Sequence, residues 1–151
     1  MKYAIVGTYL PRECGIATFS FDLNESLKKE AEGFIVALND PDQEYDYPPE
    51  VKYVINEECF KEYSDAADYI NENADICILQ HEFNIFGGDN GIYILSMLHK
   101  LKVPLITTLH TILKKPTTGQ NYVIKEISKL SQKITVLSQV AADILSSTFK
   151  V

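Results

Sequence analysis

The sequence has 151 residues, about the length of one domain, and its 46% hydrophobic and 23% charged content is that of a globular protein. This composition excludes a disordered chain, a collagen-like chain and a disulfide scaffold. No apolar stretch approaches the roughly 20 residues that span a bilayer, and the first apolar run is too short for a secretory signal. The three cysteines form an odd set without a CxxC motif, which indicates a reduced, intracellular protein.

The net charge of −7 is unevenly distributed along the chain. Residues 40–75 contain twelve acids and two lysines, whereas residues 99–151 contain eight lysines and two acids. We interpret both regions as solvated helix faces, and contact of the basic third with an anionic ligand or lipid surface is the alternative. Because the sequence pI is about 4.9, we expect no nucleic-acid partner.

Six short apolar runs, rich in β-branched residues, predict buried strands at residues 3–7, 34–38, 51–55, 76–80, 105–109 and 134–137. Apolar residues at helical spacing predict helices between them, at residues 16–27, 60–70, 92–101 and 123–130, and a last helix after the capping residue Ser138. Strands that are apolar on both faces belong to parallel sheets covered by helices. We therefore expect a single Rossmann-like α/β domain over residues 1–151, with helices on both faces of a parallel sheet.

Three unusual loops follow the first, fourth and fifth predicted strands. Their sequences are TYLPRECG, HEFNIFGGDNG and HTILKKPTTG, and the last two begin with His81 and His110. In an open parallel sheet, ligands bind beyond the carboxyl ends of the strands. We therefore expect these loops to form the functional site.

Each candidate residue in these loops has a structural and a functional interpretation. Gly15 either allows a tight turn into its helix or opens the helix start to an anion. Gly87 and Gly88 either form a plain turn or let the backbone approach a ligand closely. Lys114 and Lys115 are either a solvated pair or a phosphate contact.

Two further hypotheses concern a metal site and a cysteine nucleophile. His81, Glu82 and His110 suggest zinc ligands, but no HExxH or HxH spacing is present, so we expect no metal. Cys14 is a candidate nucleophile because it lies close to a predicted helix start, but no sequence pattern identifies its base.

Four segments together resemble a known family. GTYLPRECGIATF, LQHEFNIFGGDNG, TTLHT and ITVLSQVAADIL are similar, in this order, to the N-terminal half of retaining, group 1 (GT4-like) glycosyltransferases of the GT-B fold. The resemblance covers essentially the whole chain. It departs from the family at Asn84, where relatives often have glycine, and in ending at Val151, before a second domain.

The resemblance implies two Rossmann-like domains that face each other across a cleft. The C-terminal domain would hold a UDP- or GDP-sugar co-substrate and is absent from this chain, so we expect the chain alone to be inactive. In the N-terminal domain, Cys14, Gly15 and Ile16 would approach the donor diphosphate, and His110 would be the catalytic residue beside the transferred sugar. No metal and no permanently bound cofactor is implied.

The resemblance also implies partners and a location. The acceptor would be a carbohydrate or a lipid-linked molecule, in the cytoplasm or at the cytoplasmic face of the membrane, with peripheral membrane contact. We assign the following residues to the acceptor pocket: Arg12, His81, Glu82, Gly87 and Gly88.

Two alternatives from other classes stay open at this point. A non-catalytic α/β ligand-binding or regulatory module is compatible with the same composition and periodicity, because fold does not fix function. A hydrolase with a His-Glu metal site is the third and weaker option.

Overall fold

The six predicted strands are confirmed in a computed structural model, which describes residues 1–150. Their bounds are β1 (Lys2–Gly7), β2 (Glu32–Asn39), β3 (Val51–Asn56), β4 (Ile76–His81), β5 (Leu105–Leu109) and β6 (Lys133–Val136). All neighbouring strands are parallel and form one sheet in the order β3-β2-β1-β4-β5-β6. β2 begins two residues before its apolar run, and β6 ends one residue before the predicted end.

Five α-helices connect or follow the strands. They are α1 (Gly15–Leu27), α2 (Phe60–Asn73), α3 (Ile94–Lys100), α4 (Thr118–Leu130) and α5 (Gln139–Ile144). Two 3-10 turns, Phe83–Ile85 and Asp89–Gly91, precede α3, and a short π-helix, Leu145–Phe149, follows α5.

Two helix starts show how local chemistry sets the element bounds. Ser138 caps α5 as predicted, because its side-chain oxygen accepts a hydrogen bond of 3.2 Å from the backbone N–H of Ala141. The helix predicted from residue 92 begins only at Ile94. Asn90 and Gly91, with φ of 59° and 74°, form a turn that ends two residues earlier, and Ile92 and Tyr93 between this turn and α3 already have right-handed helical angles.

The sheet separates two hydrophobic cores, since successive side chains of a strand point to opposite faces. On β1, Tyr3 and Ile5 belong to the smaller core, which packs with residues of α1. Ala4 and Val6 belong to the larger core, which includes residues of α2, α3 and α4. The predicted Rossmann-like α/β fold with helices on both faces is therefore confirmed.

The fold brings α1 close to the centre of the sheet. A Cβ atom on Gly7, the last residue of β1, would lie 3.0 Å from Cβ of Gln80 and 3.3 Å from the hydroxyl oxygen of Ser20. A side chain at Gly7 would require Gln80 or Ser20 to shift by a few tenths of an ångström, so the glycine allows α1 and β4 to approach each other closely. The start of α1 consequently lies at the carboxyl edge of β1 and β4, where the predicted site residues are. Within residues 1–150, no helix combines the length and the apolar character needed to cross a membrane.

Candidate functional site

The start of α1 presents an open surface at the carboxyl edge of the sheet. Cys14 caps the helix with its sulfur, which accepts a hydrogen bond of 3.4 Å from the N–H of Ala17 and lies 3.1 Å from the hydroxyl of Thr8. Gly15 has no left-handed φ, and a Cβ atom there would meet no atom within 4 Å. Neither backbone conformation nor packing therefore requires this glycine, which does not support the tight-turn interpretation. The N–H groups of Gly15 and Ile16 lie in the first turn, where a helix provides no backbone partner.

Arg12 joins the first loop to the ends of two strands. Its guanidinium lies 2.7 Å from a carboxylate oxygen of Asp40 and 3.7 Å from one of Glu57, and it donates a hydrogen bond of 3.4 Å to the carbonyl of Leu38. Burial raises the pKa of Glu57, and the positive charge of Arg12 opposes this rise. The Arg12 side chain is only 14% exposed. Its charge is therefore already engaged within the domain.

One ring nitrogen of His110 makes a hydrogen bond within the domain, and the other makes none within residues 1–150. Its Nε2 lies 2.9 Å from the side-chain oxygen of Gln80, and its ring packs edge-on against Phe19 at a centroid distance of 4.8 Å. Because an amide oxygen can only accept, Nε2 carries the proton, and Nδ1 can accept a hydrogen bond from a ligand. Burial lowers the pKa of His110, and the nearby charge of Glu82 opposes this shift. One ring nitrogen of His110 is therefore used in a contact within the domain, and the other is available to a ligand.

His81 occupies a different environment from His110, although the two are neighbours at the sheet edge. Its ring is fully buried, stacks on Phe86 at 5.7 Å and packs edge-on against Phe83. Neither ring nitrogen has a hydrogen-bond partner within residues 1–150. Burial, with a smaller contribution from His110, lowers the pKa of His81 to about 3. His81 therefore does not line an open surface here, because the loop after β4 closes over it.

Glu82 connects the loops that follow β4 and β5. One carboxylate oxygen accepts a hydrogen bond of 2.8 Å from the N–H of Phe83, and the other accepts one from the hydroxyl of Thr111. The backbone N–H of His110 donates to the carbonyl of His81 at 3.0 Å. These bonds bring the predicted residues Glu82 and His110 together at one edge.

Packing and backbone geometry within the domain explain why Gly87 and Gly88 are glycines. A Cβ atom on Gly87 would lie 1.9 Å from the carbonyl oxygen of Glu57, and the N–H of Gly87 donates to the hydroxyl of Tyr63 at 2.9 Å. Gly88 has a φ of 74°, which favours glycine. The structure thus accounts for Gly87 by close packing and for Gly88 by turn geometry, and their place in an acceptor pocket stays a prediction.

The other predicted phosphate contacts make no hydrogen bond or ion pair with Glu82 or His110. Lys114 and Lys115 are exposed and make no side-chain hydrogen bond or ion pair within the described part of the chain. Among residues 1–150, no group of three or more His, Cys, Asp or Glu side chains has a geometry that would hold a metal ion.

Two contacts of the candidate residues involve partners that were not among the predicted site residues, Gln80 and Asp40. Gln80 holds His110, while its own side-chain nitrogen and the hydroxyl of Ser20 are buried without hydrogen-bond partners within residues 1–150. A signal for Gln80 was present in the sequence, because it is the polar residue of the apolar strand ICILQ. The pairing of Arg12 with Asp40 had no comparable signal.

Comparison with known proteins gives structural likenesses only. No protein-family model matches the sequence, and no curated protein sequence matches it. One similar solved structure is an alpha-glucosyltransferase in complex with UDP and a 13-mer DNA with a central A:G mismatch, at a TM-score of 0.66 and 17% identity. Another is an alpha-glucosyltransferase in complex with UDP, at a TM-score of 0.61 and 16% identity.

The structural similarity extends over nearly all of this chain but over only part of the two glucosyltransferases. It covers 92% and 91% of this chain, which spans 37% and 35% of the length of those two proteins. Three of the similar structures contain DNA, one with a central A:G mismatch and two with an HMU base, so the comparison does not support our expectation of no nucleic-acid partner. At this level of identity the likeness concerns the fold: the chain has the Rossmann-like α/β fold of a GT-B glycosyltransferase domain.

Proposed function

We propose that the chain is the acceptor-side domain of a retaining, GT4-like glycosyltransferase that transfers a sugar from a UDP- or GDP-sugar to a hydroxyl acceptor. The observation that carries the proposal is the open start of α1 beside His110, in a fold like that of UDP-bound glucosyltransferases. A second domain would hold most of the nucleotide sugar, in the cytoplasm or at the cytoplasmic membrane face.

The start of α1 is suited to the leaving diphosphate. The N–H groups of Gly15 and Ile16 and the positive end of the helix dipole favour a negative charge. Because no side chain covers Gly15, a phosphate oxygen can approach the backbone directly. Such stabilisation acts where charge develops as the sugar leaves the nucleotide. Lys114 and Lys115 are free to contribute further phosphate contacts.

The proposed role of His110 is to position a hydroxyl group. With Nε2 bonded to Gln80, the unprotonated Nδ1 can accept a hydrogen bond from the sugar or the acceptor. The burial that lowers the pKa of His110 favours this neutral form at neutral pH. The bond to Gln80 and the packing on Phe19 fix the orientation of the ring, which such positioning requires.

Activity of the protein as its gene encodes it, including any sequence beyond Val151, tests the proposal. Purified protein is incubated with UDP-glucose or GDP-mannose and hydroxyl acceptors, and release of the nucleotide with formation of a glycoside is measured. We expect His110→Ala to lower turnover about 100-fold. His99→Ala is the matched control, because His99 lies in the last turn of α3, which leads into the opposite edge of the sheet. Equal turnover in both variants would contradict the proposed role.

A non-catalytic ligand-binding module is the alternative function. It predicts nucleotide or sugar binding without glycoside formation under any of these conditions. Reading the gene beyond Val151 distinguishes the two, since a second α/β stretch of about 150–200 residues has the size of a typical domain.

A further inference from the structure

A groove separate from the start of α1 lies between the first loop, α1 and the β2–β3 connection. Its volume is about 610 Å³, which is within the usual range for small-molecule sites. Leu10 and Pro11 of the first loop, Phe21 of α1 and Tyr47 of the connection contribute apolar surface. We call it the acidic groove, because its charged residues are Asp46 and Glu50 and no basic residue lines it.

A hydrogen bond and an ion pair hold residues in and beside the groove. Tyr47 donates a hydrogen bond from its hydroxyl to the side-chain oxygen of Asn39 at 3.2 Å, and the ion pair between Arg12 and Asp40 fixes the neighbouring loop. Two consecutive prolines, Pro48 and Pro49, restrict the backbone between the two acids. A site whose walls are already ordered loses less conformational entropy when it binds a ligand.

The two carboxylates have acceptor capacity to spare. Tyr9 donates a hydrogen bond of 3.1 Å to Oε1 of Glu50, while Oε2 makes none within residues 1–150. Asp46 is exposed and makes no side-chain hydrogen bond within the same residues. A carboxylate only accepts hydrogen bonds, so a ligand here must donate them. The negative charge of both acids opposes any ligand that carries phosphate, sulfate or carboxylate.

We propose that the acidic groove binds a saccharide unit that carries no negative charge, as part of the acceptor. A pyranose ring has an apolar face, formed by its C–H groups, and a rim of hydroxyl groups that donate hydrogen bonds. The apolar face packs against the aromatic and proline surface, and the hydroxyls donate to Glu50 and Asp46. The groove and the start of α1 share the first loop, in which Pro11 is four residues from Gly15. The acceptor assignment rests on the proposed transferase function, whereas saccharide binding does not.

Saturation-transfer NMR on the 151-residue chain, without any nucleotide, tests the groove. The probes are the methyl pyranosides of glucose, galactose and mannose, methyl glucuronide as the anionic analogue, and cyclohexanol as an apolar ring with one hydroxyl. We expect at least one neutral glycoside to bind with millimolar affinity, and the glucuronide and cyclohexanol to bind much more weakly. Absence of binding by all three neutral glycosides, or equal binding of glucuronide or cyclohexanol, would overturn the proposal.

Variants identify the carboxylates as the binding groups. The double variant Asp46→Asn with Glu50→Gln keeps the shape of the groove and removes its charge, so affinity should fall about tenfold. Asp42→Asn is the matched control, because Asp42 is an exposed acid of the same connection outside the groove. Unchanged affinity in the double variant, with its fold confirmed by far-UV dichroism, would overturn the proposal.

The saccharide-binding test of the groove can succeed or fail independently of the test for transferase activity. Neutral glycoside binding that depends on Glu50, in a protein that forms no glycoside, would support the groove and reject the transferase. Glycoside formation without saccharide binding in the groove would support the transferase and reject the groove.

Discussion

Lowering the pH from 7 to 5 should destabilise the folded chain through His81. The ring is fully buried and has no hydrogen-bond partner for either nitrogen within residues 1–150. Burial therefore lowers the pKa of His81 from an ordinary 6.5 to about 3 in the folded state. In the unfolded chain the ring is solvated and keeps its ordinary pKa. Between these values the unfolded state binds the proton and the folded state does not.

The sign and size of the effect follow from this difference. Above about pH 6.5, protonation of His81 does not affect the free energy of unfolding. As the pH falls from 6.5 toward 3, the free energy of unfolding decreases, because the unfolded state binds the proton first. The slope approaches about 1.4 kcal/mol per pH unit, so the loss between pH 7 and pH 5 is about 2 kcal/mol. His110 acts in the same direction because its pKa is also lowered, whereas the raised pKa of Glu57 acts in the opposite direction, mainly at lower pH.

Comparison of variants isolates the contribution of His81. His81→Leu replaces the ring by an apolar side chain of similar size, so its stability at pH 7 should be equal or higher. Urea unfolding of wild type and variant between pH 5 and pH 7 should give curves that diverge by about 2 kcal/mol at pH 5. Parallel curves for wild type and His81→Leu, or an NMR titration of His81 near pH 6.5, would contradict this prediction.

Three further substitutions test the carboxyl edge. Arg12→Met leaves Asp40 without its ion pair, and we expect a loss of roughly 1–3 kcal/mol in urea unfolding, against little change for Lys115→Met. Gly15→Ala should change the melting temperature little or raise it slightly, because its Cβ meets no atom within 4 Å, and a marked fall would reveal strain. His110→Ala removes the partner of the buried Gln80 oxygen, so unfolding should become easier by roughly 1–3 kcal/mol, and an unchanged value would show that this bond is not important for stability.

The strands were predictable because parallel, buried strands are apolar on both faces, and such runs are visible without a structure. Their ends were less certain. β2 begins at Glu32, a charged residue with no apolar signal, because it pairs with Lys2 of β1. α3 begins two residues later than its apolar pattern, although Ile92 and Tyr93 already have right-handed helical backbone angles. In β2, strand pairing extends the element beyond its hydrophobic pattern.

The candidate site was predictable in its location and not in its contacts. The rule that ligands bind at the carboxyl ends of parallel strands directed attention to Gly15, Glu82 and His110, and Glu82 and His110 do lie close together. The bond between Gln80 and His110 joins residues 30 positions apart, and the ion pair between Arg12 and Asp40 joins residues 28 apart. Such pairs depend on how strands and loops pack, which periodicity does not describe.

The glycines of this edge show how packing separates structural from functional interpretations. Gly87 is needed for close packing, since a Cβ atom there would overlap the carbonyl of Glu57, and a Cβ atom on Gly7 would require Gln80 to shift slightly. At Gly15 the space for a side chain is empty and the backbone conformation suits any residue. The folded chain does not require this glycine, and the proposed function supplies a reason for it, because an anion could approach the backbone there. The proposed anion site at the start of α1 depends on Gly15, and the sharpest test is whether a Gly15→Ala variant of unchanged stability loses activity.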